Sequence, residues 1–166
     1  MRKRAVAGWI ALGLLIVAGI FYYWTEQIAD PGGLQGTNRI EIRAGHGGVD
    51  VVGTNIPDVQ VSIDGQSSEA AGAQVRIDRK RDYLLVQIDD IPRLSRAQVR
   101  VPRDASIAVT MTAGQLTIEG IEGGDIAAVL RSGEMTIRVG EASNFRSANA
   151  FVLSGKLQAP AFQVEK

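Results

Sequence analysis

Few residues in this 166-residue chain could do covalent or acid–base chemistry. The only histidine, His46, sits in Ala44-Gly45-His46-Gly47-Gly48. A His-Gly-Gly run can serve as an oxyanion loop beside a serine nucleophile. With one histidine, any serine triad would have to use His46 as its base. No Gly-x-Ser-x-Gly elbow accompanies it, so His46 reads as an exposed turn histidine. Gly45-x-Gly47-Gly48 is not a dinucleotide fingerprint either, because no helical pattern follows it. Cysteine is absent, which removes disulfides, thiol nucleophiles, zinc–thiolate sites and a lipid anchor on cysteine.

The carboxylates are scattered. Asp89-Asp90 and Asp104 stand alone, and Asp64-Gly65 lacks the alternating oxygen ligands of a calcium loop. Glycoside hydrolysis needs two carboxylates about 5–9 Å apart, and no such pair falls at equivalent positions. The expectation is a protein that is not an enzyme, with no catalytic residue, cofactor, metal or small-molecule substrate. Arg79-Lys80-Arg81-Asp82 admits two readings, an anion-binding patch and a solvated hairpin tip, and is read as the tip.

Charge points the same way. The chain has 18 basic and 18 acidic residues. Arg2, Lys3 and Arg4 are the only charges before Thr25, so the remainder is slightly acidic. Nucleic acid, which favours a strongly basic surface, is not an expected partner.

The elements that would carry any site are β-strands. Arg39-Ile40-Glu41-Ile42-Arg43 is apolar at every second position. So are Val59-Gln60-Val61-Ser62-Ile63, Val75-Arg76-Ile77-Asp78 and Val99-Arg100-Val101. Period two is the strand signature. Leu84-Leu85-Val86, a continuous apolar run, reads as a strand covered on both faces. Gly47-Gly48, Gly53, Asp64-Gly65, Pro102, Gly120 and Gly123-Gly124 punctuate these runs, as in an all-β body. Gln66 to Ala73 reads as a loop.

The C-terminal half repeats. Gly114-Gln115-Leu116-Thr117-Ile118-Glu119 aligns with Gly133-Glu134-Met135-Thr136-Ile137-Arg138 and with Gly155-Lys156-Leu157-Gln158-Ala159-Pro160. A fainter copy is Gly48-Val49-Asp50-Val51-Val52. The unit is a glycine, an outward residue, then two apolar residues separated by one outward residue. One such coil cannot bury its apolar row, and stacked coils can. The glycine would occupy a corner needing positive φ or close packing. The expectation is a β-solenoid-like stack of short strands. Gly114, Leu116, Ile118, Gly133, Met135, Ile137, Gly155 and Leu157 would be its repeat positions. Stacking in register would place Glu119 beside Arg138, Glu134 beside Lys156 and Thr117 beside Thr136. Five of the nine aromatics precede Thr25, leaving Tyr83, Phe145, Phe151 and Phe162 for a thin aliphatic core.

Residues 5–24 carry no charge. As a helix rising 1.5 Å per residue they would span about 30 Å, the hydrocarbon thickness. Tyr22, Tyr23 and Trp24 suit the membrane interface, and Arg2, Lys3 and Arg4 the cytoplasmic side. A cleaved signal peptide would have a shorter apolar run and a small-x-small site, and Gln27-Ile28-Ala29 has bulky Gln27 instead. Residues 1–4 are therefore read as a cytoplasmic stub and 5–24 as one transmembrane helix in the bilayer of the cytoplasmic (inner) membrane. Residues 25–38 read as a linker, and 39–166 as an extracytoplasmic β-repeat domain. Ala7 and Ala11 form a small-xxx-small pair.

The Ser-Gly-x-apolar-x-apolar pattern at 132–139 and 152–159, with 106–119 and weaker support from 39–63, resembles a bacterial β-strand repeat family. That family is labelled "putative adhesin" or domain of unknown function. The resemblance covers about half the body. It implies a membrane-anchored, stacked β-solenoid-like fold in the cell envelope and an association with envelope-stress response. It brings no catalytic or ligand residues. The function expected is a protein-binding or scaffold module with an envelope protein partner. The alternative is adhesin-like recognition of a cell-wall or surface polymer.

Overall fold

The computed structural model describes residues 39–67, 72–92, 94–139 and 144–160. The basic stub with Arg2, Lys3 and Arg4, the segment 5–24 with Tyr22, Tyr23 and Trp24, and the linker 25–38 lie outside the described residues. Among the described residues no helix is long and apolar enough to cross a membrane.

The body is nearly all β. Its strands are β1 (Arg39–Thr54), β2 (Gln60–Ile63), β3 (Gln74–Arg79), β4 (Leu84–Asp89), β5 (Arg96–Pro102), β6 (Ser106–Glu119), β7 (Gly124–Arg138) and β8 (Phe145–Gln158). All eight join one sheet. β1, β6, β7 and β8 run parallel and in register, one beside the next.

These four strands are longer than the short runs the sequence pattern suggests. Each is two arms joined at a corner, and the ladder continues past the corner. In β1 the side chains of the hydrophobic core are Ile40, Ile42 and Ala44, then Val49 and Val51. In β6 they are Ile107, Val109 and Met111, then Leu116 and Ile118; in β7 Ile126, Ala128 and Leu130, then Met135 and Ile137. Within each arm the period is two, as pleating demands. Across the corner the step is odd, so the phase flips. A straight strand would turn the second apolar set outward. The corner glycine lets both sets face one core.

That glycine adopts φ of +119° at Gly47, +129° at Gly114, +134° at Gly133 and +138° at Gly155. The four stack directly on one another, Gly47 on Gly114 on Gly133 on Gly155. A Cβ on Gly114, Gly133 or Gly155 would strike the carbonyl oxygen of the glycine in the preceding strand. The faint repeat copy is thereby shifted by one residue: Gly47, not Gly48, stands in the corner column. Val49 and Val51 consequently align with Leu116 and Ile118.

β4 and β5 supply one further layer below β1. β4 lies parallel to the first arm of β1, from Ile40 beside Leu84 to Ala44 beside Ile88. β5 lies parallel to the second arm, from Gly48 beside Arg96 to Thr54 beside Pro102. Asp90, at φ +57°, and buried Ile91 lie between them, and Ile91 packs at Gly47. β3 and β2 pair antiparallel with β4 and β5 and finish this end of the sheet. Leu84, Val86 and Ile88 face the core, with Leu84 half-buried. Leu85, on the other face, is also half-buried and pairs with buried Glu41.

Short turns link the second arm of one strand to the first arm of the next. Ala105 and Ile121, one in each of two such turns, are fully buried. The Glu122 N–H donates to the Arg103 carbonyl at 2.9 Å, tying the two turns together. The core is made of Ile, Val, Leu, Met and Ala, with no aromatic ring among the buried described residues. Burying each large aliphatic contributes about 1.5–3 kcal/mol.

Candidate interaction surface

The residues singled out for chemistry do not converge. His46 is exposed, and it lies within β1 beside the corner glycine rather than in a turn. Its register neighbour is Ala113. Ser132 is the next residue in that column, two strand spacings or about 10 Å from β1. No serine in the column is therefore a direct neighbour of His46. Among the described residues no group of three or more His, Cys, Asp or Glu could hold a metal ion.

The carboxylates with well-defined partners bind parts of the fold together. Asp50 receives a two-pronged bond from Arg96, Nε to Oδ2 at 2.8 Å and Nη2 to Oδ1 at 2.5 Å. Arg96 Nη1 also donates to Gln115 Oε1 at 2.9 Å, so one guanidinium ties β5, β1 and β6. The hydrogen bond to Asp50 pushes the Arg96 pKa above its ordinary value. Asp64, at φ +48°, accepts the Arg96 N–H at 2.8 Å. A hydrogen bond from the Ser95 side chain, then that N–H, hold its carboxyl below the usual carboxylate range.

Asp125 is nearly fully buried at the start of β7. It accepts hydrogen bonds from Arg146 Nη2 at 2.7 Å and Ser147 Oγ at 2.9 Å on β8, while its own N–H donates to Ser106 Oγ of β6 at 3.2 Å. A buried carboxylate requires such partners. This one fastens the first arm of β8 to the two strands before it.

The repeat positions form columns. Gly114, Gly133 and Gly155 align, as do Leu116, Met135 and Leu157; Ile118 aligns with Ile137. Outside, Asp50, Thr117, Thr136 and Gln158 form one line, and Gln115, Glu134 and Lys156 another. Glu119 stands beside Arg138. The lines mix charged, amide and hydroxyl groups, and no two carboxylates are direct neighbours within them.

What is left open is β8. It spans 14 residues and, among the described residues, is paired along one side only. Its inward residues Ala148, Ala150, Val152 and Leu157 pack on the core but remain half-buried, where their counterparts in β6 and β7 are covered. Phe151 and Leu153 are 45% and 51% exposed. Arg146 and Lys156 are its only charges, both basic. An edge of this length, with free backbone groups and apolar side chains, can accept another strand. Sequence patterning did not single it out, because the alternation of β8 differs little from that of paired strands.

No family model matches the chain, and no curated protein matches it. Among solved structures it is similar to one described as a "putative cell adhesion protein" from Clostridium sporogenes. That alignment covers 73% of this chain and 91% of the other, at 8% identity and a TM-score of 0.46.

Proposed function

We propose that the chain is a single-pass envelope protein whose extracytoplasmic body, a short β-solenoid, acts as a protein-binding or scaffold module. The uncharged run 5–24, the basic residues before it and the aromatic cluster at its end support the anchor. The parallel in-register ladder, the column of corner glycines and the buried turn residues Ala105 and Ile121 support the solenoid.

The observation that carries the reading is the edge of β8, a 14-residue strand that among the described residues is paired along one side only. Its occupant is an extended segment of another envelope protein, added as one more strand. Backbone hydrogen bonds would supply affinity, and alternate side chains would cover Ala148, Ala150 and Val152. Acidic residues in that segment would complement Arg146 and Lys156.

The test places a photo-crosslinking residue at Phe151, Leu153 or, as a control, Arg100 on β5, in the full-length chain in native membranes. The reading expects one discrete adduct from the β8 positions, absent from Arg100 and abolished by Val152→Lys, an inward charge that blocks an edge. Adducts that ignore position, or that survive Val152→Lys in a folded protein, would reject it. Association with purified cell-wall polymer under those conditions would transfer support to the adhesin-like alternative.

A further inference from the structure

At the opposite end of the body from β8 lies a cavity of about 290 Å³. Four chain segments line it: the start of β1, residues 57–59, the β3–β4 hairpin with its tip, and the end of β5 at Pro102. Arg39 comes from the first, Asp58 from the second, and Arg79, Lys80, Arg81 and Asp82 from the third. Four cations therefore face two carboxylates in a body whose overall charge is slightly negative. Ile40, Val59, Leu84 and Pro102 complete the lining with apolar surface.

The hairpin tip is held, not frayed, because the Lys80 N–H donates to the Tyr83 carbonyl at 2.9 Å. Arg39 lies over the Tyr83 ring at 5.8 Å from its centroid, an arrangement that orients a guanidinium before any ligand arrives. Asp58 meets Arg79 at 3.6 Å, with both side chains largely exposed. Such a pair is weak and exchangeable. Like charges on consecutive residues repel, and concave walls of low dielectric concentrate their field.

We infer that this cavity binds a phosphate ester of phosphoglycerol size. Cations supplied by two segments, Arg39 on β1 and Arg79, Lys80 and Arg81 on the hairpin, suit a tetrahedral group, whose oxygens diverge in three dimensions, better than a planar carboxylate. The apolar lining and Tyr83 suit the carbon portion of the ester. The volume is at the small end of ligand pockets, which matches a compact headgroup rather than a nucleotide. This chemistry has two sources, the headgroup of an anionic phospholipid and a free phosphate ester. The inference does not depend on the strand-addition surface of β8.

The test is calorimetric titration of the full chain in a neutral detergent at about 0.1 M salt, where the screening length is about 10 Å. The probes are glycerol phosphate, acetate, short-chain phosphatidylglycerol and short-chain phosphatidylcholine. Glycerol phosphate is expected to bind, and Lys80→Gln/Arg81→Gln to weaken it by about tenfold or more per charge lost. Arg131→Gln/Arg138→Gln, which removes two charges on β7, is expected to change it less than about twofold. Tighter binding of phosphatidylglycerol than of glycerol phosphate, with none of phosphatidylcholine, assigns the lipid source; equal binding assigns the free ester. Three results would overturn the inference: no heat from any phosphate, acetate binding as well as glycerol phosphate, or equal loss in both double variants. Unchanged melting of Lys80→Gln/Arg81→Gln and of the single variant Arg81→Gln excludes misfolding as the cause.

Discussion

Gly133→Ala separates the two duties of a corner glycine. The backbone at Gly133 has φ +134°, a region an L-residue reaches only with strain of about 1–3 kcal/mol. The new Cβ would also strike the Gly114 carbonyl oxygen and crowd the Gly114 carbonyl carbon at 2.9 Å and nitrogen at 3.0 Å. These atoms are backbone, so relief requires β6 and β7 to part at the corner. Losing two ladder hydrogen bonds there costs about 1–3 kcal/mol more. The total is about 2–6 kcal/mol, a large share of the roughly 5–15 kcal/mol typical of a domain. Thermal unfolding followed by far-UV circular dichroism should show a fall of about 8–24 °C, at roughly 4 °C per kcal/mol for a body of this size. Two controls isolate the causes. Gly65→Ala, at φ +77° with nothing near its Cβ, carries only the dihedral cost, about 1–2 kcal/mol. Gly45→Ala, with open space and no positive φ, should be neutral or gain up to about 1 kcal/mol. If Gly133→Ala proved no worse than Gly65→Ala, the close stacking of backbones at the corner would be wrong.

Other expectations concern the polar clamps. Asp125→Ala should cost about 2–3 kcal/mol, less than breaking a fully buried pair. The reason is that the Arg146 side chain is 57% exposed and regains water. Hydrogen exchange should then rise first in the initial arm of β8. An Asp50→Ala/Arg96→Ala cycle should give a coupling of only about 0.5–1 kcal/mol, because solvent screens the pair. Its side chains are 24% and 42% exposed. A coupling above about 2 kcal/mol would contradict that screening. Asp64 has a folded pKa below its ordinary 3.8. Its stabilising contribution is therefore complete above that ordinary value and is lost as pH falls through the lower folded value. Asp64→Asn should flatten the acid limb of the stability–pH curve and leave the neutral plateau without that contribution.

The strands were legible because pleating imposes period two on any half-buried segment, as Arg39–Arg43 and Val99–Val101 illustrate. The glycine spacing was legible because only a residue without Cβ fits a corner where backbones touch. The choice between Gly47 and Gly48 was not, since both lack a side chain and only the valine phase of Val49 and Val51 separates them. The place of β1 was also hidden. Parallel partners are set by where long connections return, and no local feature of residues 39–54 says that 84–102 will lie on one side and 106–119 on the other. The basic cavity escaped for a similar reason. Arg79-Lys80-Arg81 is an ordinary hairpin tip by itself, and becomes a pocket only when Arg39 and residues 57–59 are folded against it.

The position of β1 has a consequence for biosynthesis. It is the first strand of the body to be made, yet Ile42 finds Val86 on one side and Val109 on the other. At about 5–20 residues per second, it waits several seconds with both edges open before either neighbour exists. Its pairs are among the most distant in sequence, which slows folding. The newborn body is thus most vulnerable to misassociation at its N-terminal strand, and a holding factor that shields residues 39–54 during synthesis should raise its yield more than one acting on the finished chain.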